Sequence, residues 1–125
     1  MQPRPRAEEL LATVSAVLQR DIVPALSGLQ QHHARVAANL VGIVERELRL
    51  GPATDERERA VLAGLLGDTG GVTDLLELRT TLAGDLRAGM ADDPRRDETV
   101  WSALIALVRD DLAIVKPGHD SWDGD

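Results

Sequence analysis

The sequence has no cysteine and very few aromatic residues, and both shortages limit what the protein can be. Without cysteine the chain can form neither disulfides nor thiolate metal sites. Aromatic residues make up 2% of the chain and are supplied by Trp101 and Trp122 alone. A core must therefore be built from Leu, Val, Ile and Ala rather than from large rings.

The sequence also lacks an excess of positive charge and any long apolar run. The formal net charge is -7, and the basic residues are interleaved with acidic ones, which disfavours nucleic acid and anionic lipid as partners. No apolar run approaches the roughly 20 residues needed to cross a bilayer. Glu8 and Glu9 interrupt the apolar segment that a signal peptide needs. We therefore expect a soluble, cytoplasmic protein with no nucleic-acid and no membrane partner.

The apolar residues that are present recur at helical spacings, and no alternating strand pattern of useful length occurs. A chain of 125 residues has the usual size of one domain. We predict an all-α fold: a single-domain helical bundle of four to five helices over residues 1–117, followed by a mobile acidic C-terminal tail over residues 118–125.

Proline and glycine place the ends of the first two predicted helices. The first should end by Val23, because Pro24 disfavours helical geometry in the residue before it. The long second helix should end at Gly51, since glycine suits the left-handed position after a helix and Pro52 follows directly. Thr54 would then cap a third, shorter helix.

Capping residues also mark the start of the last two predicted helices. Either Thr73 or Asp74, followed by Glu77, resembles a capping box that opens the fourth helix. Gly89 closes that helix. Asp93 before Pro94 is a strong start signal for the last one.

The predicted core consists of one aliphatic row on each helix. On the first helix the row contains Leu10, Leu11, Val14, Val17 and Leu18. On the second it contains Val36, Ala37, Leu40, Val41, Val44 and Leu48. The third and fourth rows contain Val61, Leu62, Leu65 and Leu66, and then Leu75, Leu78, Leu82 and Leu86. The last contains Trp101, Leu104, Ile105, Val108, Leu112 and Val115.

The opposite side of the second helix is the main candidate site. This arginine ridge contains Arg35, Asn39, Gly42, Arg46 and Arg49. Guanidinium groups spaced three and four residues apart can bind phosphate or carboxylate from one side of a helix, and asparagine is unfavourable in a helix interior. The alternative is a solvated face with internal ion pairs, for which Glu45 and Arg49 have the favourable spacing.

Two adjacent histidines lie at the start of the same helix. His32 and His33 point about 100° apart, so they cannot both bind one metal ion from the same face. His33 falls on the side of Val36 and Leu40 and is predicted to be partly buried, whereas His32 stays with the arginine ridge as a candidate binding residue. We expect no metal ion and no cofactor.

Catalytic motifs are not found in the sequence. It contains no phosphate-binding glycine loop, no nucleophilic serine elbow and no helix with two histidines four residues apart. Its carboxylate clusters near helix ends are typical of caps and solvated surface. We therefore expect a protein that is not an enzyme by itself.

Several segments resemble a bacterial family of small, uncharacterised, all-helical proteins. The resemblance is strongest over residues 4–51. It is carried by Arg4-Pro5, Ala7-Glu8-Glu9-Leu10-Leu11, Val23-Pro24-Ala25-Leu26, His33-Ala34-Arg35-Val36-Ala37-Ala38-Asn39 and Val44-Glu45-Arg46-Glu47-Leu48. Members of that family are typically encoded beside an aminoglycoside-phosphotransferase-like kinase and an acyl-CoA dehydrogenase.

The resemblance implies a non-catalytic accessory subunit of the neighbouring kinase, which is thought to phosphorylate the hydroxyl group of a hydroxyacyl-CoA during acid catabolism. Arg35, Asn39 and Arg46 are then expected at or near the contact with the kinase. A second hypothesis is a small-molecule binding protein whose arginines hold the phosphates or carboxylate of an acyl-CoA-like ligand. The sequence leaves self-association open as well, because a leucine-rich helical protein can complete its core with a second copy.

Overall fold

The computed structural model describes residues 4–67 and 69–118, and this part of the chain is built from α-helices joined by short turns, with no strand. Four α-helices follow one another: α1 (Ala7–Val17), α2 (Gly28–Leu66), α3 (Leu75–Arg87) and α4 (Pro94–Val115). The predicted all-α fold is confirmed. The predicted acidic tail lies outside the described residues, apart from Gly118.

Helical backbone continues beyond α1 and through Pro24. A π-helical turn, Leu18–Ile22, is followed by a 3-10 turn, Val23–Ala25. Val23 is buried, and its carbonyl oxygen accepts a hydrogen bond from the side-chain amide of Gln31 at 3.0 Å. The α-helix itself ends at Val17, which is before the predicted limit at Val23. The π-helical and 3-10 turns then carry helical backbone on to Ala25.

The 39 residues of α2 form one helix, so the predicted end at Gly51 and the predicted cap at Thr54 are wrong. Gly51 is absent from the glycines with positive φ, and the left-handed stop therefore does not form. Pro52 removes the main-chain donor that would bond the Leu48 carbonyl and its ring crowds that carbonyl, yet α2 continues through it. Thr54 is buried within α2 instead of lying before a new helix.

The described chain forms two compact units. Unit 1 contains residues 4–51 and 114–116, and unit 2 contains residues 52–67, 69–113 and 117–118. The predicted domain of residues 1–117 thus includes two packing centres, which are described separately below.

Unit 2 contains the larger aliphatic core. Its buried members are Leu62, Leu65, Leu78, Leu82 and Val100. Half-buried residues pack around them, including Val61, Leu66, Leu75 and Leu86. The predicted rows on the second half of α2 and on α3 are confirmed, because spacings of three and four residues place each row on one face of its helix.

The inward face of α4 differs from the predicted one. Val100 is buried, and Ala103, Leu104 and Leu107 pack against the core of unit 2. Trp101, Val108 and Val115 are exposed, so the predicted row is wrong at these positions. Aliphatic residues cover two adjoining faces of α4, and helical periodicity alone does not select between two faces about 100° apart.

The inward face of α2 in unit 1 is made of small residues. Ala38 is 1% exposed, Gly42 is buried, and the Ser15 hydroxyl donates a hydrogen bond to the Ala38 carbonyl oxygen at 3.3 Å. Small side chains allow this close approach of α1 to the α2 backbone. The predicted core row is therefore wrong in its larger members, since Val36, Leu40, Val44 and Leu48 are exposed.

The first helix departs from its predicted row in the same way. Leu11 and Leu18 are half-buried, whereas Leu10, Val14 and Val17 are exposed. Ser15 occupies the face of α1 that approaches α2. Unit 1 therefore leaves exposed much of the apolar surface that the sequence assigns to a core.

The predicted caps of α3 and α4 are confirmed. The Glu77 main-chain N–H donates to Oδ2 of Asp74 at 3.1 Å, which identifies Asp74 rather than Thr73 as the cap. The Arg95 main-chain N–H donates to Oδ1 of Asp93 at 2.9 Å. Gly89 has a φ of 98°, a left-handed conformation that glycine adopts without the steric cost of a side chain.

Candidate functional site

The arginine ridge lies on the part of α2 that belongs to unit 1, but its members face different surroundings. Arg35 and Asn39 are exposed, Gly42 is buried, and Arg46 is half-buried. The ridge is therefore not one continuous solvent-facing surface. Its residues have to be considered one at a time.

Arg46 is engaged within unit 1. Its Nε–H donates a hydrogen bond to the main-chain carbonyl oxygen of Ile114 at 2.7 Å. Ile114 is in the last turn of α4, where carbonyl groups lack partners in their own helix and a positive charge is favourable. A Cβ atom on Gly42 would lie 3.1 Å from Nη1 of Arg46, so the glycine leaves space for the guanidinium group.

Arg49 forms an ion pair with Glu45, as expected if the ridge is a solvated face with internal ion pairs. Its Nε–H donates to Oε1 of Glu45 at 2.7 Å. The hydrogen bond and charge of Glu45 raise the pKa of the Arg49 guanidinium. Arg35 and Asn39 are then the members of the ridge that are exposed and make no side-chain hydrogen bond or ion pair within the described part of the chain.

Both histidines at the start of α2 are exposed, and their ring centroids are 6.2 Å apart. The prediction that His33 is partly buried is wrong, because the face that it shares with Val36 and Leu40 is itself exposed. Within residues 4–67 and 69–118, no group of three or more potential ligands could hold a metal ion.

The exposed side of α2 in unit 1 is largely apolar. We define the α2 apolar face by Leu29, Val36, Leu40, Val44 and Leu48, all of which are exposed. Leu40, near its middle, is 55% exposed. A run of half-exposed Val and Leu along five turns of helix is typical of a surface that another helix covers.

A second apolar surface lies on α4 in unit 2. We define the Trp101 row by Trp101, Ile105, Val108 and Leu112, which are spaced four, three and four residues apart. Trp101 is 60% exposed and Val108 is 56% exposed, while Ile105 and Leu112 are half-buried. Tryptophan is enriched among the residues that dominate binding energy at protein interfaces.

A polar cluster that the sequence did not predict joins α2, α3 and α4 within unit 2. Glu58 is 8% exposed, and its two carboxylate oxygens accept hydrogen bonds from Arg79 at 2.6 and 2.7 Å. Arg57 donates to Asp110 at 3.1 Å and to the buried Thr54 hydroxyl at 3.2 Å. The spacing of Thr54, Glu58, Leu62 and Leu65 indicates this inward face once α2 is followed through Pro52.

Asp111 adds an unfavourable charge near this cluster. Burial of its carboxyl group and the nearby charge of Glu58 raise the pKa of Asp111, and Arg79 acts in the opposite direction. A carboxyl group with a raised pKa suits acid–base chemistry only where it faces a substrate cleft beside a nucleophile. The neighbouring groups here are the Glu58–Arg79 ion pair and other carboxylates.

An open pocket lies near the end of α3 in unit 2. It has a volume of about 290 Å³ and is lined by Asp85, Ala88, Gly89, Met90 and Arg96. The Arg96 guanidinium is already bonded, since its Nη2 donates to the Leu65 carbonyl oxygen at 2.8 Å. A pocket with this few apolar walls does not enclose a ligand of acyl-CoA size.

Comparison with known proteins identifies a family for most of the chain. Residues 24–119 match the model of a family described as a domain of unknown function, DUF6285. The chain belongs to the DUF6285 family. Within the DUF6285 region lie α2, α3 and α4, and with them both the α2 apolar face and the Trp101 row. Neither the curated proteins nor the solved structures contain a match.

Membership of DUF6285 confirms that part of the resemblance which points to an uncharacterised family, and the chain itself is helical. Among the described residues, no helix of this DUF6285 protein is long and apolar enough to span a bilayer.

Proposed function

We propose that this DUF6285 protein is a non-catalytic subunit that acts by binding another protein. The observation that supports the proposal most strongly is the exposure of Trp101 at the start of an apolar row on α4. An exposed tryptophan leaves a large apolar area in contact with water. A partner that covers the ring removes this area from water, and that burial stabilises the complex.

The Trp101 row has the form of a helix-docking surface. From Trp101 to Leu112 it extends about 16 Å along the helix axis at 1.5 Å per residue. Its spacing of four, three and four residues keeps the side chains on one stripe, as in the contact between two packed helices. Val108 lies two turns after Trp101 and is exposed to a similar extent, so a partner helix has two anchor points.

The partner that we propose is an aminoglycoside-phosphotransferase-like kinase, as the family resemblance implies. In this role the subunit supports phosphoryl transfer to a hydroxyacyl-CoA without performing it. The chemistry of the chain is compatible with that division of labour, because the described residues present no nucleophile with an adjacent base.

The arginine ridge has a smaller part in the proposed contact than its sequence suggested. Arg46 is bonded to the Ile114 carbonyl and Arg49 to Glu45, each through its Nε–H, so part of each guanidinium is already engaged inside the chain. Arg35 and Asn39 are exposed and remain candidates for contact. The rival hypothesis of an anionic small-molecule ligand needs several free arginines on one face, and no observation here favours it.

Co-expression tests this function. The chain is produced alone and together with the kinase encoded beside its gene, and light scattering on a sizing column gives the mass of each species. A mixed complex, with kinase activity that increases when the subunit is present, is the expected result. Separate elution of the two proteins, or turnover of the acyl-CoA substrate by this chain alone, would contradict the proposal.

A further inference from the structure

We propose that two copies of this chain associate through the α2 apolar face, with their α2 helices antiparallel and the two Leu40 side chains meeting at the two-fold axis. This inference concerns a different helix from the Trp101 row and does not depend on the kinase.

The first support is a symmetric pattern of residues around Leu40. Val36 and Val44 lie four residues before and after it, and His33 and Glu47 lie seven residues before and after it. Steps of four and seven residues rotate by about 40° and 20° on an α-helix, so all of these positions share the side of Leu40.

The second support is the complementarity of two polar groups, an imidazole and a carboxylate. In an antiparallel pair centred on Leu40, residues at equal distances on opposite sides come level with each other. His33 of one copy then lies at the level of Glu47 of the second copy, and the same contact repeats at the other end. A parallel pair would instead place Glu47 against Glu47, where like charges repel.

Glu47 is suited to such a contact because it has no partner within its own chain. It is exposed, and no hydrogen bond or ion pair of its carboxylate exists within residues 4–67 and 69–118. His33 is exposed too. A carboxylate and an imidazole placed symmetrically in an apolar face interrupt its hydrophobic area, and a second copy can pair each imidazole with a carboxylate through a hydrogen bond.

The ends of the face complement each other in shape. Leu29 and Gly51 each lie eleven residues from Leu40, on opposite sides. Leu29 is 70% exposed, and in the antiparallel pair it comes level with Gly51 of the second copy, which has no side chain to obstruct it. The matched segment extends about 33 Å at 1.5 Å per residue.

The opposite side of α2 is already used inside unit 1. Ala38 and Gly42 face inward, and the Ala38 carbonyl oxygen is bonded by the Ser15 hydroxyl. The α2 apolar face is therefore on the side of the helix away from its contact with α1. A second copy is the occupant that the symmetric residue pattern fits, because an isologous interface must be complementary to itself.

Cysteine cross-linking tests the arrangement, since the natural chain has no cysteine and each variant carries a single thiol. At the usual separation of packed helices, roughly 8–10 Å between axes, facing Cα atoms at the two-fold axis come within disulfide range. Mild oxidation of Leu40→Cys should give a covalent dimer. The two copies of Leu48→Cys would be about 24 Å apart along the axis and should not cross-link.

Leu76→Cys serves as a collision control, because Leu76 is exposed on α3 in unit 2. Covalent dimer from Leu40→Cys well above the yields of Leu48→Cys and Leu76→Cys supports the proposal. Equal yields from all three variants, or no dimer from Leu40→Cys, would overturn it.

A charge exchange tests the His33–Glu47 contact independently. Analytical ultracentrifugation of the isolated protein over a range of concentrations gives the dimer dissociation constant, and circular dichroism checks that each variant is folded. His33→Glu and Glu47→Lys are each expected to weaken the dimer tenfold or more, and the double variant should recover most of that loss. A monomeric wild type at every concentration, or a double variant no better than the single ones, would contradict the antiparallel model.

Discussion

The Nε–H of Arg46 donates a 2.7 Å hydrogen bond to the main-chain carbonyl oxygen of Ile114, and this contact joins α2 to the last turn of α4 within unit 1. The sequence placed Arg46 in a binding ridge, whereas the structure uses it to complete a helix end. Several measurable consequences follow from this and from the other buried polar contacts.

Replacing Arg46 should therefore reduce stability. We expect Arg46→Met to lower the free energy of unfolding by about 2 kcal/mol, because a charge-assisted hydrogen bond is lost and the Ile114 carbonyl is left without its partner. Arg35→Met is the matched control and should change it by less than about 0.5 kcal/mol, since Arg35 is exposed. Urea unfolding followed by circular dichroism measures both; equal losses would contradict the role given to Arg46.

The Glu58–Arg79 pair should be the most sensitive polar contact of unit 2. Arg79→Met leaves the Glu58 carboxylate buried without a partner, and we expect a loss of about 2–3 kcal/mol in the free energy of unfolding. The double variant Glu58→Gln with Arg79→Met should lose less than the sum of the single changes, because the two residues form one interaction.

Glu56→Gln is the control for this pair. Glu56 forms a surface ion pair with Arg59, and its side chain is largely exposed, so its removal should have an effect below about 1 kcal/mol. Chemical unfolding measures Arg79→Met, Glu58→Gln, their double variant and Glu56→Gln in parallel. Equal losses of unfolding free energy for Glu56→Gln and Arg79→Met would contradict this account.

Asp111 should make the stability of the protein depend on pH. Its pKa is raised from the ordinary 3.8, so the ionised form is less favourable in the folded chain than in the unfolded chain. The protonated Asp111 carboxyl therefore costs the folded chain nothing below its ordinary pKa. The free energy of unfolding then falls as the pH rises through the raised pKa of the folded chain. Asp111→Asn should therefore raise the melting temperature at pH 7, with a gain that shrinks as the pH falls towards 3.8.

Replacing the neighbouring Asp110 should change the melting temperature in the opposite direction. Its carboxylate accepts a hydrogen bond from Arg57 at 3.1 Å, so Asp110→Asn should lower the melting temperature at pH 7. Thermal unfolding of both variants across the pH range makes the comparison. A gain for Asp111→Asn that stays constant with pH would show that its raised pKa is not the cause.

Two neighbouring alanines test which side of α2 is packed in unit 1. Ala38 is buried and Ala37 is exposed, although the sequence assigned Ala37 to the core. We expect Ala38→Leu to destabilise the protein by about 1–3 kcal/mol through overpacking, and Ala37→Leu to have little effect. Unfolding at low protein concentration separates this effect from self-association, and the reverse order of the two variants would contradict the observed orientation of α2.

How much of the fold the sequence predicts differs from helix to helix. For α3, the buried Leu78 and Leu82 follow directly from the sequence, and the cap was narrowed to Thr73 or Asp74 before the structure identified Asp74. For α2, the apolar arc was correctly located but wrongly placed inside. Periodicity shows which residues share a face, and it does not show whether the chain itself or a partner covers that face.

The polar contacts around the candidate site were not predicted, and the reason is related. The helix α2 continues through Pro52 because packing further along it, where Leu62 and Leu65 are buried, stabilises the helical backbone. The Gly51-Pro52 pair is a local signal for a helix end, and it carries no information about packing elsewhere on the helix. The Glu58–Arg79 pair depends on the same continuity. Arg46 has a carbonyl partner 68 positions away in the sequence, and no local pattern reveals such a contact.

The central claim is that this DUF6285 protein binds its partner kinase with the Trp101 row, and the most direct test is calorimetric titration of that kinase with three forms of the chain. Wild type and Leu76→Ala, which changes an exposed leucine on α3, should bind alike. Trp101→Ala should weaken binding by roughly 30-fold or more, as expected for an interface hot spot worth about 2 kcal/mol, while keeping its circular dichroism spectrum. Unchanged affinity of Trp101→Ala, or no binding by wild type, would contradict the account.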